Sequence, residues 1–138
     1  MRLQFLFAYM ILIFYACSNP GDNRLYGDWG IIEFTIYQAG YNSKSTEKML
    51  RDGGAVWDLK FTGSGKFQQD FNMSDREKTM HTQKGTWKAV GDSLKLTLDF
   101  DSTSTVLNYT YKVNNDILTL DLENPANKNK VISKFRKK

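Results

Sequence analysis

Alternation of apolar and polar residues is the feature that most constrains the fold of this chain. From Leu94 to Phe100 every second residue is apolar and the residues between are polar. The same period of two recurs along most of the chain after Gly27, with Gly-, Asn- or Asp-containing turns between the segments. Since successive side chains of a strand point to opposite faces, this pattern predicts an all-β protein of about eight short strands.

The short connections between these segments predict how the strands are arranged. Strands joined by tight turns form an antiparallel up-and-down meander, and a meander with one buried face tends to close. Closure removes the exposed edges that would otherwise pair with other chains. About eight strands enclose room for packed side chains or for one small ligand. We therefore predict a closed β-barrel, with a sandwich of two sheets as the alternative.

The segment 38–55 breaks the alternation. Residues 45–51 suit two turns of helix, which Ser45 would cap and Gly53 would end. The alternative is that part of the segment forms an edge strand. A connection of this length is often functional in its own right.

An apolar segment precedes the alternating region. Leu3–Ala16 would span about 21 Å as a helix, whereas a bilayer core is about 30 Å thick and needs about 20 apolar residues. The segment therefore predicts a signal peptide over residues 1–16 rather than a spanning helix. The polar residues that follow predict a tether over residues 17–24, and residues 25–138 have a length suited to one domain.

Cys17 directly follows this apolar segment. It is the one cysteine of the chain, so no internal disulfide can form. An apolar segment, a small residue and then cysteine resembles the lipobox of bacterial lipoproteins. The resemblance implies that Cys17 is acylated and anchors the protein to a membrane. Ser18 resembles an outer-membrane address, and the lack of an acidic run after Cys17 favours the periplasmic face; the alternative is an ordinary signal peptide with an incidental cysteine.

Charge and motif content argue against several classes of function. The net charge of +4 is small and dispersed, which argues against nucleic-acid binding. His81 is the one histidine, and it has no Cys/His spacing of a metal site, no partner nucleophile and no Gly-rich phosphate loop beside it. We therefore expect a non-catalytic protein without a metal or cofactor.

The parity of each strand identifies the side chains that face the barrel interior. Gln69, His81 and Gln83 share inward faces with apolar residues, and an apolar interior with a few polar groups is typical of a small-ligand site. The alternative is that the aromatic residues fill the barrel and the polar ones lie at its open, wet end. The residues predicted to line a ligand cavity are Phe34, Trp57, Phe67, Gln69, Phe71, His81, Gln83, Trp87, Phe100, Tyr109 and Tyr111.

Gly27-Asp28-Trp29, at the start of the first predicted strand, resembles the Gly-x-Trp signature of lipocalins. The segments that extend the likeness follow in order, at residues 59–67, 85–88, 91–96, 111 and 117–120. Together they resemble the small lipocalin-like domain lipoproteins that are common in Bacteroidetes-type bacteria, over nearly all of residues 25–136.

This resemblance implies both structure and function. In lipocalins the tryptophan plugs the closed end of the barrel beneath an arginine near the end of the last strand. The resemblance therefore implies that Trp29 and Arg136 form this plug and that Gly27 is the first residue of the motif. The resemblance also implies a lipid-anchored, lipocalin-like β-barrel that binds a small apolar molecule. The alternative is a module that binds or inhibits another protein through loops such as residues 38–55.

Overall fold

The computed structural model describes residues 19–73 and 79–138. The predicted signal peptide and Cys17 lie outside these ranges. Within them, a 3-10 helix over Asn23–Leu25 is followed by nine strands and one α-helix. In chain order these are β1 (Gly27–Gln38), β2 (Tyr41–Ser45), α1 (Glu47–Asp52), β3 (Val56–Phe61), β4 (Lys66–Asn72), β5 (His81–Val90), β6 (Ser93–Phe100), β7 (Thr103–Asn114), β8 (Ile117–Glu123) and β9 (Lys130–Lys137).

Eight of these strands close into an antiparallel barrel. From β3 to β9 each strand pairs with the next along the chain, and β9 pairs back onto β1. The other edge of β1 is shared, because β3 pairs with Gly27–Gly30 and the additional strand β2 pairs with Phe34–Gln38. The predicted closed antiparallel barrel is therefore confirmed, and the sandwich is excluded.

A β-bulge in β1 changes which residues face inward. The register with β9 shifts between Ile31 and Glu33. Before the shift Ile31 lies opposite the buried Phe135, and after it Phe34 lies opposite the buried Ser133. A bulge adds one residue to a strand and so switches its alternation. Odd-numbered residues of β1 therefore face inward near its start, and even-numbered residues do so near its end.

The segment 38–55 contains both of the structures that the sequence left open. Its first part is the edge strand β2, and its second part is α1. The cap is Thr46 rather than the predicted Ser45, since the Thr46 hydroxyl accepts a hydrogen bond from the Met49 amide at 3.3 Å. The helix ends at Gly53, as predicted, and Leu50 is its buried residue.

One end of the barrel is closed by the chain that precedes β1. Pro20 is buried and its carbonyl accepts a 2.7 Å hydrogen bond from the Ala89 amide at the end of β5. Gly21 has a φ of +119°, and a Cβ there would lie 2.3 Å from the Ala89 oxygen, so only glycine fits. Leu25, in the 3-10 helix, is completely buried. Within the tether predicted over residues 17–24, Pro20 and the residues after it pack onto the barrel.

The core fills the half of the barrel next to this closed end. Trp29, Phe61 and Phe135 are among the largest fully buried side chains, and each contributes about 1.5–3 kcal/mol by burial. The Phe61 ring packs edge-on against Trp87 at 5.4 Å between centroids. Any ligand site inside the barrel therefore lies towards the other, open end.

Candidate functional site

Trp29 lies at the closed end, where the lipocalin resemblance implies a plug. Its indole nitrogen donates a 2.9 Å hydrogen bond to the carbonyl of Leu25, which ties β1 to the 3-10 helix. Gly27, at the start of the motif, has a φ of +117°, a conformation that favours glycine. The cation over the Trp29 ring is the ammonium of Lys137, 5.3 Å from the centroid.

The prediction that Arg136 covers Trp29 is therefore wrong by one residue. Phe135 faces the interior, so its neighbour Arg136 faces outward. There the guanidinium forms a 2.7 Å ion pair with Glu47 of α1. Lys137 has the inward parity and lies directly opposite Trp29 in the β1–β9 ladder.

Three of the residues predicted to bind a ligand belong to this closed-end core. Phe67 and Trp87 are buried, and the Trp87 indole donates to the carbonyl of Thr62 at 3.0 Å. The Tyr111 hydroxyl donates to Asp22 at 2.9 Å and so helps to hold the segment before β1. Parity placed all three side chains correctly on the inner face, but their hydrogen bonds and packing are used within the closed end.

A chain of hydrogen bonds joins three of the predicted residues inside the barrel. The Trp57 indole donates to the side-chain oxygen of Gln69 at 3.0 Å. The side-chain amide nitrogen of Gln69 then donates to the oxygen of Gln83. Gln69 is 9% exposed, and a buried amide without partners would cost about 1–3 kcal/mol. The chain therefore satisfies Gln69 and aligns three neighbouring strands.

The indole fixes the direction of this chain. An indole N–H can donate but not accept, so the oxygen of Gln69 must face Trp57 and its NH₂ group must face Gln83. The oxygen of Gln83 is then occupied, and its NH₂ group is the free end of the chain. Among the described residues, that NH₂ group has no hydrogen-bond partner. The chain thus presents a donor at its end.

Gln83 also lines a cleft of about 310 Å³ between the open ends of β4, β5 and β6. The cleft exists because β5–β6 pairing stops at Lys84 and Asp99, whereas β4–β5 pairing continues to the terminal pair Phe71 and His81. The rings of this terminal pair lie 5.5 Å apart at 31°. The inward-facing residues of the cleft were all predicted from sequence; they are Phe71, His81, Gln83 and Phe100.

The remaining predicted residues, Phe34 and Tyr109, do not line the cleft, and Tyr109 lies opposite Leu94 near the closed end. The Phe34 ring packs edge-on against Trp57, 6.1 Å between centroids. Tyr109 packs against the core, and burial raises the pKa of its phenol to about 12, so the hydroxyl stays protonated at neutral pH. Ser133, 2% exposed and opposite Phe34, was not predicted. Its inward parity between Val131 and Phe135 is the signal that could have found it.

Within residues 19–73 and 79–138, no helix is both long enough and apolar enough to span a bilayer. In the same ranges, no three His, Cys, Asp or Glu side chains are grouped so that they could hold a metal ion.

Comparison with known proteins gives similarity of structure alone. No protein-family model matches the chain, and no curated protein matches its sequence. Among solved structures, the wild-type fluorescent protein UnaG matches 83% of this chain and 98% of its own, with 13% identity and a TM-score of 0.44. An asparagine-to-glutamine mutant of UnaG matches 83% of this chain and 96% of its own, with 16% identity and a TM-score of 0.42. At these sequence identities and TM-scores, the similarity does not indicate a function.

Proposed function

We propose that this protein is a membrane-anchored, non-catalytic lipoprotein whose barrel binds a small apolar molecule that carries a neutral hydrogen-bond acceptor. The observation that carries the proposal is the donor-terminated chain from Trp57 through Gln69 to Gln83. This chain ends where a cleft opens among aromatic side chains. Apolar walls with a few fixed polar groups are the usual construction of a small-molecule site.

The direction of the hydrogen-bond chain, which ends in a donor, selects the chemistry of the ligand. A carbonyl oxygen, as in an ester, amide or ketone, would accept the hydrogen bond from the NH₂ group of Gln83. The negative charge of an anionic ligand would be poorly compensated, because the residues that line the cleft include Asp99 and Asp101 but no Lys or Arg. A buried charge without a partner is strongly unfavourable. Neutral carbonyl compounds are therefore favoured over carboxylates.

The test uses Gln83→Glu, which keeps the size of the side chain and replaces its donor by an acceptor. The probe is Nile red, a neutral apolar dye with a carbonyl group, titrated by fluorescence. We expect the variant to bind the dye about tenfold more weakly, since an unmade hydrogen bond in a buried site costs about 1–3 kcal/mol.

The matched control is Gln38→Glu, the same substitution at an exposed position at the end of β1. It should leave the affinity for Nile red unchanged. Equal binding by the two variants would show that the chain through Gln83 does not select the ligand. Failure of the unmodified protein to bind Nile red would count against a lumenal site for carbonyl compounds.

The anchoring part of the proposal rests on the lipobox-like sequence that ends at Cys17. Two or more acyl chains give stable membrane attachment, whereas Cys17→Ser removes the acceptor thiol. We expect the unmodified protein in the membrane fraction with an acyl-sized increase in mass, and the variant in the soluble fraction without it. An unchanged mass and an unchanged membrane fraction in the variant would refute acylation of Cys17.

A second candidate function is supported by one surface feature. Large apolar side chains are exposed around the segment 38–55, with Tyr37 at 39%, Tyr41 at 60% and Met49 at 57%. Protein-binding surfaces commonly expose large apolar side chains of this kind. Binding of a partner protein through β2 and α1 is therefore the alternative, and Tyr41→Ser with Met49→Ser should abolish it without changing the affinity for Nile red.

A further inference from the structure

Ion pairs are distributed unevenly around the barrel. On the side formed by β1, β2, β8 and β9, Glu33 pairs with Lys44 and Lys134, each at 3.3 Å, and Asp121 pairs with Lys130 at 3.3 Å. On the side formed by β4, β5 and β6, the described residues provide no carboxylate within ion-pair distance of the lysines. These unpaired, exposed side chains are Lys66, Lys84, Lys88 and Lys95.

Three of these lysines lie close together near the closed end, and we call them the lysine surface: Lys66, Lys88 and Lys95. Lys88 and Lys95 lie directly opposite each other on β5 and β6. Like charges in this position repel and destabilise a sheet. Lys66 lies opposite Thr86 on the neighbouring strand, so no carboxylate separates it from the pair. The surface therefore has a concentrated positive charge that an anionic partner would relieve.

The lysine surface adjoins the point where the N-terminal segment reaches the barrel. The Pro20 carbonyl binds the amide of Ala89, next to Lys88. A Cβ on Gly65, next to Lys66, would lie 3.5 Å from the Cβ of Pro20. Two peptide units join Asn19 to Cys17, so their Cα atoms are at most about 7 Å apart. An acyl chain on Cys17 would consequently hold this surface near the headgroups.

We propose that the lysine surface docks on the anionic phospholipid headgroups of the membrane that holds the acylated Cys17. This inference rests on the proposed anchoring but adds the orientation of the barrel. Val90, 69% exposed at the turn between β5 and β6, lies beside Lys88 and enters the interfacial region. The closed end then faces the membrane, and the cleft at Gln83 faces away from it.

The experiment compares the reactivity of individual lysines in vesicles and in detergent. The processed full chain, purified from membranes, is reconstituted into phosphatidylethanolamine vesicles that contain about one-third phosphatidylglycerol. Exposed amines are acetylated, and each site is quantified by peptide mass spectrometry. Each basic residue near an anionic surface gains about fivefold in preference for it, so we expect the three lysines to be protected at least about fivefold.

Lys128, in the connection between β8 and β9 at the open end, is the internal control. Its side chain is 77% exposed, and it should react equally in vesicles and in detergent. The protection of the lysine surface should disappear in pure phosphatidylcholine vesicles, and in about 1 M salt, where the Debye length falls to about 3 Å. Equal reactivity of all four lysines in an acylated, vesicle-bound protein would overturn the docking proposal.

Failure of acylation gives a different result from failure of docking. If the purified protein lacks the acyl mass, the anchoring proposal fails, and docking is then measured by co-sedimentation with the same anionic vesicles. Binding that is lost in the triple variant Lys66→Glu, Lys88→Glu, Lys95→Glu, but kept in Lys128→Glu, would still support the lysine surface. Equal co-sedimentation of these two variants, or none by the unmodified protein, would overturn it.

Discussion

The hydrogen bond between Tyr111 and Asp22 offers a quantitative test of the closed end. Tyr111→Phe removes a hydroxyl that donates to the carboxylate at 2.9 Å and leaves the ring in place. A hydrogen bond to a charged group contributes about 1.5–3 kcal/mol. Asp22 keeps its ion pair with Arg24 in the variant, so the loss should lie near the lower limit, at about 1.5–2 kcal/mol. For a chain of this size that is about 6 °C in Tm.

A double-mutant cycle with Asp22→Ala isolates this interaction. Asp22 also caps the 3-10 helix, but the cycle subtracts that effect, because it is absent from both variants that lack the carboxylate. Free energies of unfolding would be measured by urea denaturation of chains that begin at Ser18, followed by tryptophan fluorescence. We expect a coupling energy of about 1.5 kcal/mol. A value below about 0.5 kcal/mol would refute the claim that Tyr111 holds the segment before β1.

The same hydrogen bond predicts that the free energy of unfolding depends on pH. Hydrogen bonds from Arg24 and, to a smaller extent, from Tyr111 together lower the pKa of Asp22 from 3.8 to about 2, against the opposing effect of burial. A carboxyl whose pKa is lower in the folded state stabilises the fold above its unfolded pKa, and this contribution is lost as the pH falls from 3.8 towards 2. The difference in stability between Tyr111→Phe and the unmodified chain should therefore narrow across this range.

Two further substitutions test the closed end. Trp29→Ala should destabilise the protein by about 3–5 kcal/mol, because the indole is fully buried, and a loss below about 1 kcal/mol would show that Trp29 does not plug the barrel. Gly21→Ala should cost more stability than Gly40→Ala, since both residues have positive φ but a Cβ meets the Ala89 oxygen at 2.3 Å only at Gly21; equal losses in thermal denaturation would refute the tight packing of the N-terminal segment.

The sequence pattern predicts whether a side chain faces inward or outward better than it predicts the position of that residue along the barrel axis. Alternation identified Phe67, Trp87 and Tyr111 as inward-facing, and so they are, but they pack in the closed end. The position along the barrel axis depends on strand register, which is set by many backbone pairings and by the tilt of the strands. Period two contains no information about these, so the predicted site merged the core with the open end.

Other differences have local physical causes. The polar composition of residues 17–24 predicted a tether, but Pro20 and Asp22 use a backbone carbonyl and a carboxylate to bind the barrel. The alternation does not locate the bulge near Ile31, because residues 31 and 32 are both isoleucine and either one could face inward. By contrast, Gln69 and Gln83 were identified from parity alone, since a polar residue on an apolar face needs a partner.

In our proposal, the barrel holds a small neutral molecule at the end of the hydrogen-bond chain through Gln83. The most direct measurement is native mass spectrometry, with solvent extraction, of the protein purified from its own host. We expect one defined apolar compound that carries a carbonyl group, present in the unmodified protein and in Gln38→Glu but lost in Gln83→Glu. A mass without any bound molecule in all three proteins would contradict it.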